Sequence, residues 1–188
     1  MALKLITPAA ALAVSLSEAK AHLRIDSSDE DTLITSMITA ATETCEQITG
    51  RAIMPQTWAL TLDEFPSVIE LTRVPVASIT SLKYTDTSGA QITLDSAAYR
   101  LRNVDDYASA LIVPAYNAEW PDTLDDTDTV EVRFVSGYAN AAAVPQPIKN
   151  WILINVASQY ENREETTARQ TVSLKFVDTL LDRYKVYQ

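Results

Sequence analysis

The sequence predicts an α+β protein: a helical core built from both ends of the chain, with an antiparallel β domain inserted between them. Three observations predict it. Apolar residues between Asp31 and Gly50 recur at helical steps, and a second apolar run starts at Pro145 and reaches about Glu161. From Pro55 to Val135 the period drops to two, in short segments punctuated by proline and glycine. The expected divisions are an N-terminal arm with helices at 1–54, the inserted β domain at 55–140, and C-terminal helices with a docking arm at 141–188.

The elements follow in order. Met1 to Val14 contains Ala11-Leu12-Ala13 and superficially resembles a signal peptide, but Thr7 and Pro8 interrupt a short apolar stretch preceded by a single lysine. An extended arm is the plainer reading. Ser15-Leu16-Ser17-Glu18 spells a capping box, so a short helix should run from Leu16 to about Arg24. The cluster from Ser27 to Asp31 supplies cap oxygens and negative charge to the next helix, which should end near Gly50. Its apolar stripe is Leu33, Ile34, Met37, Ile38, Ala41, Cys45 and Ile48. From Pro55 a strand is expected with Trp58, Leu60 and Leu62 facing one way and Thr57, Thr61 and Asp63 the other, followed by strands at 68–71, 76–85, 91–94, 99–101, 110–113 and 129–135, with a hairpin turn at Asp86-Thr87-Ser88-Gly89. Pro147 suits the first turn of a helix, whose run Trp151-Ile152-Leu153-Ile154 is apolar all round and should be buried on more than one side. A last segment places Phe176, Val177, Leu180, Leu181, Tyr184 and Tyr187 on one face.

Composition narrows the function classes. Fifteen Lys plus Arg against 25 Asp plus Glu give a net charge of -10, the wrong sign for binding phosphate backbones by counterion release. The glycines Gly50, Gly89 and Gly137 are too few and too far apart for a dinucleotide or P-loop fingerprint. One cysteine and one histidine do not make a zinc site. No metal and no cofactor is expected. The acids Asp122, Asp125, Asp126 and Asp128 lack the spacing, glycine and terminal glutamate of a calcium loop. Cys45 falls on an apolar stripe, and His22 has neither a nucleophile elbow nor an orienting partner beside it, so no catalytic residue is expected. Trp58 and Trp151 are assigned to packed faces, and only Trp120 sits in a loop. No run of about 18 apolar residues occurs, so no membrane-spanning helix is expected.

An ordered series of motifs resembles a known family. Val14 to Asp26, Cys45-Glu46, Thr49-Gly50-Arg51, Thr57-Trp58, Phe65-Pro66, Ile69-Glu70-Leu71, Pro75-Val76, Gly137-Tyr138, Val144-Pro145 and Tyr160 to Glu164 are similar to tailed-phage head-tail connector (adaptor) proteins. The version they resemble is the longer one, with an inserted β domain, linked to DNA packaging. The resemblance spans residues 10–165, and the C-terminal stretch matches less clearly. It implies a non-enzymatic structural protein of the virion neck, made in the bacterial host cytoplasm. It further implies a dodecameric ring below the portal protein, joining the DNA-filled capsid to the next neck or tail-completion protein. DNA would pass through the lumen without sequence-specific binding.

The residues add two expectations. Acids facing the lumen would repel DNA phosphates, so that DNA slides rather than sticks. The terminal segment either docks on its own domain or is an arm that fills a groove on another subunit, and the resemblance, which implies a carboxyl-terminal segment reaching into the portal, makes Phe176, Val177, Leu180, Leu181, Tyr184 and Tyr187 a portal-docking arm. In the second case, truncation after Gln170 would leave a folded subunit unable to dock. The competing reading is a monomeric acidic binding module, or inhibitor, occupying a basic cleft on a partner protein.

Overall fold

The computed structural model describes residues 1–103, 108–162, 177 and 179–186. Three helices, α1 (Leu16–Leu23), α2 (Asp31–Thr49) and α3 (Gln146–Glu161), come from the two ends of the chain. The capping box is present: the Ser15 hydroxyl accepts from the Glu18 amide, and the Glu18 carboxylate accepts from the Ser15 amide. Arg24 closes α1 in the left-handed region at φ 58°. The start of α2 differs from expectation. Its N-cap is Glu30 with no side-chain cap bond, while Ser27 and Asp29 satisfy each other in the preceding turn. Lys20 instead reaches the first turn of α2 through an ion pair with Asp31 at 2.7 Å.

The helices bury Ile34, Ile38, Ala41 and Cys45 of α2 against Ile148, Trp151, Ile152 and Val156 of α3, with Ala19 of α1. Leu33 and Ile48, expected on the buried stripe, lie at its margins at 37% and 44% exposure. On α3 the fully buried residues form one stripe at helical spacing, and Leu153 and Ile154 are half-buried. The all-round apolar run is therefore a broad face, not two opposed ones.

Strands β2 (Gln56–Leu62), β3 (Ile69–Leu71), β4 (Val76–Thr85), β5 (Gln91–Thr93), β6 (Tyr99–Arg102), β7 (Ala110–Pro114) and β8 (Val130–Ser136) follow the expected segments closely. They form two antiparallel sheets rather than one. With β1 at Ala2–Thr7, the five-stranded sheet has the order β1-β2-β8-β4-β5, and the three-stranded sheet the order β3-β7-β6. Leu60, Leu62, Leu82, Val130, Val132 and Phe134 of the first meet Ile69, Leu71, Ala110 and Ile112 of the second in a separate core. At the hairpin, Gly89 has φ 85°, and the Asp86 carboxylate accepts from the amides of Ser88 and Ala90.

The N-terminal arm is a strand. Residues Ala2–Thr7 form β1, which pairs antiparallel with β2 at the edge of the five-stranded sheet. These six residues thus join the sheet by hydrogen bonding, although they precede the helices in the chain.

Candidate interaction surfaces

The polar motifs that stand out in the sequence cluster where the helical core meets the sheets. Cys45 and Glu46 occupy the last turns of α2. Cys45 is fully buried, and burial pushes its thiol up to about 12, so it carries no thiolate at neutral pH. The Glu46 carboxylate accepts from the Ile53 amide at 2.7 Å and from the Gln56 side-chain amide at 2.6 Å. Burial holds this carboxyl above its usual range, against the lowering effect of those two bonds and of Arg73. Arg73 donates to the Glu46 carbonyl and lies 5.0 Å from the centre of the Trp58 ring. One helical residue thereby fixes the start of β2 and the loop after β3.

Gly137 explains a second motif. At φ 123° it lies so close to the Met54–Pro55 backbone that any Cβ would overlap the Met54 carbonyl. Its amide donates to Pro75 at 2.9 Å, and the Tyr138 amide donates to Ile53 at 3.1 Å. Three chain segments therefore meet within one glycine's width.

Thr49-Gly50-Arg51 receives the end of the chain. Gly50 caps α2 in the left-handed region at φ 70°. Arg51, 1% exposed, donates from Nε to the Tyr184 carbonyl, and the Val186 amide donates to the Thr49 carbonyl at 2.9 Å. Leu181 is 1% exposed within the helical core, and Val177, Leu180 and Tyr184 pack half-buried against it. A 3-10 turn at Asp182–Tyr184 follows. Phe176 and Tyr187 lie outside the described residues. Four of the six side chains expected to form a docking arm thus rest on the subunit's own core, as the alternative reading of that segment held. Truncation after Gln170 would remove Leu181 and a partner of the buried Arg51, so it would not leave an intact subunit.

The other sequence candidates are dispersed. His22 is exposed on α1. The acids before β8 serve their own loop: Asp126 accepts from the Thr127 amide, and the Asp128 amide donates to Asp63. Among the described residues no three His, Cys, Asp or Glu side chains converge as a metal-holding group, and no helix is long and apolar enough to cross a membrane. Trp120 stacks on Phe65, ring centres 4.8 Å apart, so one face of its ring is already covered. Trp151 is buried in the helical core, and Trp58 packs partly buried against the sheet core.

The fold and its polar joints define an α+β protein in which the conspicuous residues lock a helical core to a two-sheet domain. The family model described as Phage gp6-like head-tail connector protein matches residues 13–91, which bears out the resemblance read from the motifs. No curated protein matches the chain. Solved structures do. The chain is 26% identical, with a TM-score of 0.82, to a chain in the neck of an empty GTA particle computed with C6 symmetry. It is 26% identical, at 0.79, to one in the virion of a native gene transfer agent (GTA) particle, and 25% identical, at 0.78, to one in the neck of a native GTA particle computed with C12 symmetry. Each match covers 100% of this chain and 97% of the other.

Proposed function

We propose that this chain is a structural head-tail connector of a tailed-phage-like particle. Copies form a ring in the virion neck below the portal, join the DNA-filled capsid to the next neck or tail protein, and line the DNA channel. The observation that carries this is likeness along the full chain to subunits of particle necks, one of them computed with twelvefold symmetry. Residues 13–91 support it independently through the connector family model. The role is mechanical, not enzymatic.

The mechanism follows from three features. Two separately packed cores, locked through Glu46, Arg73 and Gly137, give a subunit able to transmit load between capsid and tail. A closed ring needs heterologous contacts, in which one flank of a subunit meets a different flank of its neighbour. The charge of -10 per subunit, repeated round the ring, keeps passing DNA from adhering where acids face the lumen. The C-terminal segment faces the portal: Leu181 anchors it in its own core, Val177, Leu180 and Tyr184 pack on that core with one side and offer the exposed remainder to the portal, and Phe176 and Tyr187 complete the docking surface. Immunogold labelling of purified particles with an antibody to this chain tests the assignment. Gold at the head-tail junction is expected; gold over the capsid shell or tail tip would overturn it.

A further inference from the structure

Two unlike surfaces lie near the end of the sheets next to the helical core. The first is a cavity of about 200 Å³ between the N-terminal linker, α2 and the start of β2. Leu5, Leu12 and Met54 give it apolar walls, and Glu43, Glu46 and Gln56 give it acceptors; no cationic residue lines it. Gln56 is 7% exposed, and its amide nitrogen is committed to Glu46 while its buried amide oxygen accepts no hydrogen bond. The cavity therefore presents two carboxylates with no cation among its lining residues. Its volume is that of roughly seven waters, enough for one long side chain.

The second surface is β6, an edge strand of the three-stranded sheet. Its pattern alternates, with Tyr99 and Leu101 turned inward and Arg100 and Arg102 exposed on one face. Neither arginine makes an ion pair among the described residues, in a chain where acids outnumber bases by ten. An edge strand also presents unpaired backbone groups, which favour contact with another chain.

The sheet register fixes where these surfaces sit. Gln56 pairs with Ser136, and Ser136 with Val76, so all three lie at the end of the sheet next to the helical core. Asn103, directly after Arg102, donates to the Val76 carbonyl at 3.3 Å and brings β6 to that same end. In the five-stranded sheet the cavity lies on the β1-β2 side, whereas β6, an edge of the other sheet, is tied through Asn103 to β4, with β8 between β2 and β4. Rotation about a ring axis preserves height and brings one flank of a subunit against the opposite flank of the next.

We infer that the Arg100–Arg102 edge of one copy docks into the Glu43–Glu46 cavity of the next copy round the ring. An arginine stem packs on Leu5, Leu12 and Met54, while its guanidinium donates to the Glu43 and Glu46 carboxylates. The larger acidic hollow by Asp63, Asp125 and Asp126 is the weaker site, because it already holds a cation of this chain: the Met1 amino terminus lines it and pairs with Asp63 at 3.9 Å. This inference rests on the ring reading above.

Charge reversal with rescue tests it on the full chain, mixed with the portal protein and followed by light scattering and negative-stain imaging. The variants are Arg100→Glu with Arg102→Glu, Glu43→Arg, and all three together. Every changed residue is exposed, and far-UV circular dichroism checks that each variant folds. At a concentration where the wild type forms rings, each partial variant should lose them at least tenfold, and the combined variant should regain them. Rings in both partial variants at the wild-type level would overturn the inference and leave the ring standing, as would loss without regain in the combined variant. A wild type that forms no ring, with portal or without, would overturn the ring reading itself and this inference with it.

Discussion

Replacing Leu181 by alanine measures how firmly the end of the chain belongs to its own subunit. The side chain is 1% exposed and sits among the residues of the helical core. Deleting a buried leucine to alanine costs 2–5 kcal/mol, depending on how far the site collapses, so about 3 kcal/mol is expected here. For a chain of this length that lowers the melting temperature by about 6–12 °C. Urea unfolding followed by tryptophan fluorescence reads the helical core directly, because Trp151 lies within it. Leu180→Ala is the internal control: Leu180 is half-buried, and about 1 kcal/mol is expected. If Leu181→Ala cost less than about 1 kcal/mol, the segment would not be holding the core together. A wholly partner-directed arm would then be the better account.

The joints make further predictions. Gly137→Ala places a Cβ into the Met54 carbonyl at a positive φ and should cost more than about 3 kcal/mol, seen as loss of soluble folded protein. Glu46 has its folded pKa raised by burial, so ionising it opposes folding: stability falls as pH rises from the ordinary carboxylate value through the raised one. Glu46→Gln should remove that fall while still accepting from Ile53, whereas Glu46→Ala strands the Ile53 amide and costs about 1–3 kcal/mol; denaturant curves across that range check both. Cys45 should resist alkylation at pH 8 in the folded protein and react on unfolding, and fast native labelling would contradict its burial.

Much of this fold is legible in the sequence where burial is local and periodic. The alternation in β2 and β8 follows from Leu60, Leu62, Val130, Val132 and Phe134 all facing one core. β1 escapes that logic: it is an edge strand exposed along nearly its whole length, and its partner Trp58 lies far along the chain. Leu33 and Ile48 fit the helical spacing yet sit at the margin, because periodicity gives a direction but not the width of the covering layer. The start of α2 offered several cap oxygens, and the turn used them internally.

The interaction surfaces were less legible, for a related reason. Glu46, Gln56 and Arg73 meet because α2 hands the chain to β2 beside the loop after β3, a juxtaposition no single segment encodes. Gly137 could be recognised as part of a motif, but its cause, the nearby Met54 backbone, appears only in three dimensions. Arg100 and Arg102 match no motif, and only the sheet order places them on an edge.

The central claim is that copies of this chain close into a ring at the neck. Light scattering with negative-stain imaging of the purified protein, alone and mixed with its portal, tests it most directly. The account predicts closed rings, with a mass near twelve subunits by analogy with the C12 neck. A particle that stays at 20.7 kDa under both conditions would contradict it and favour the acidic binding module.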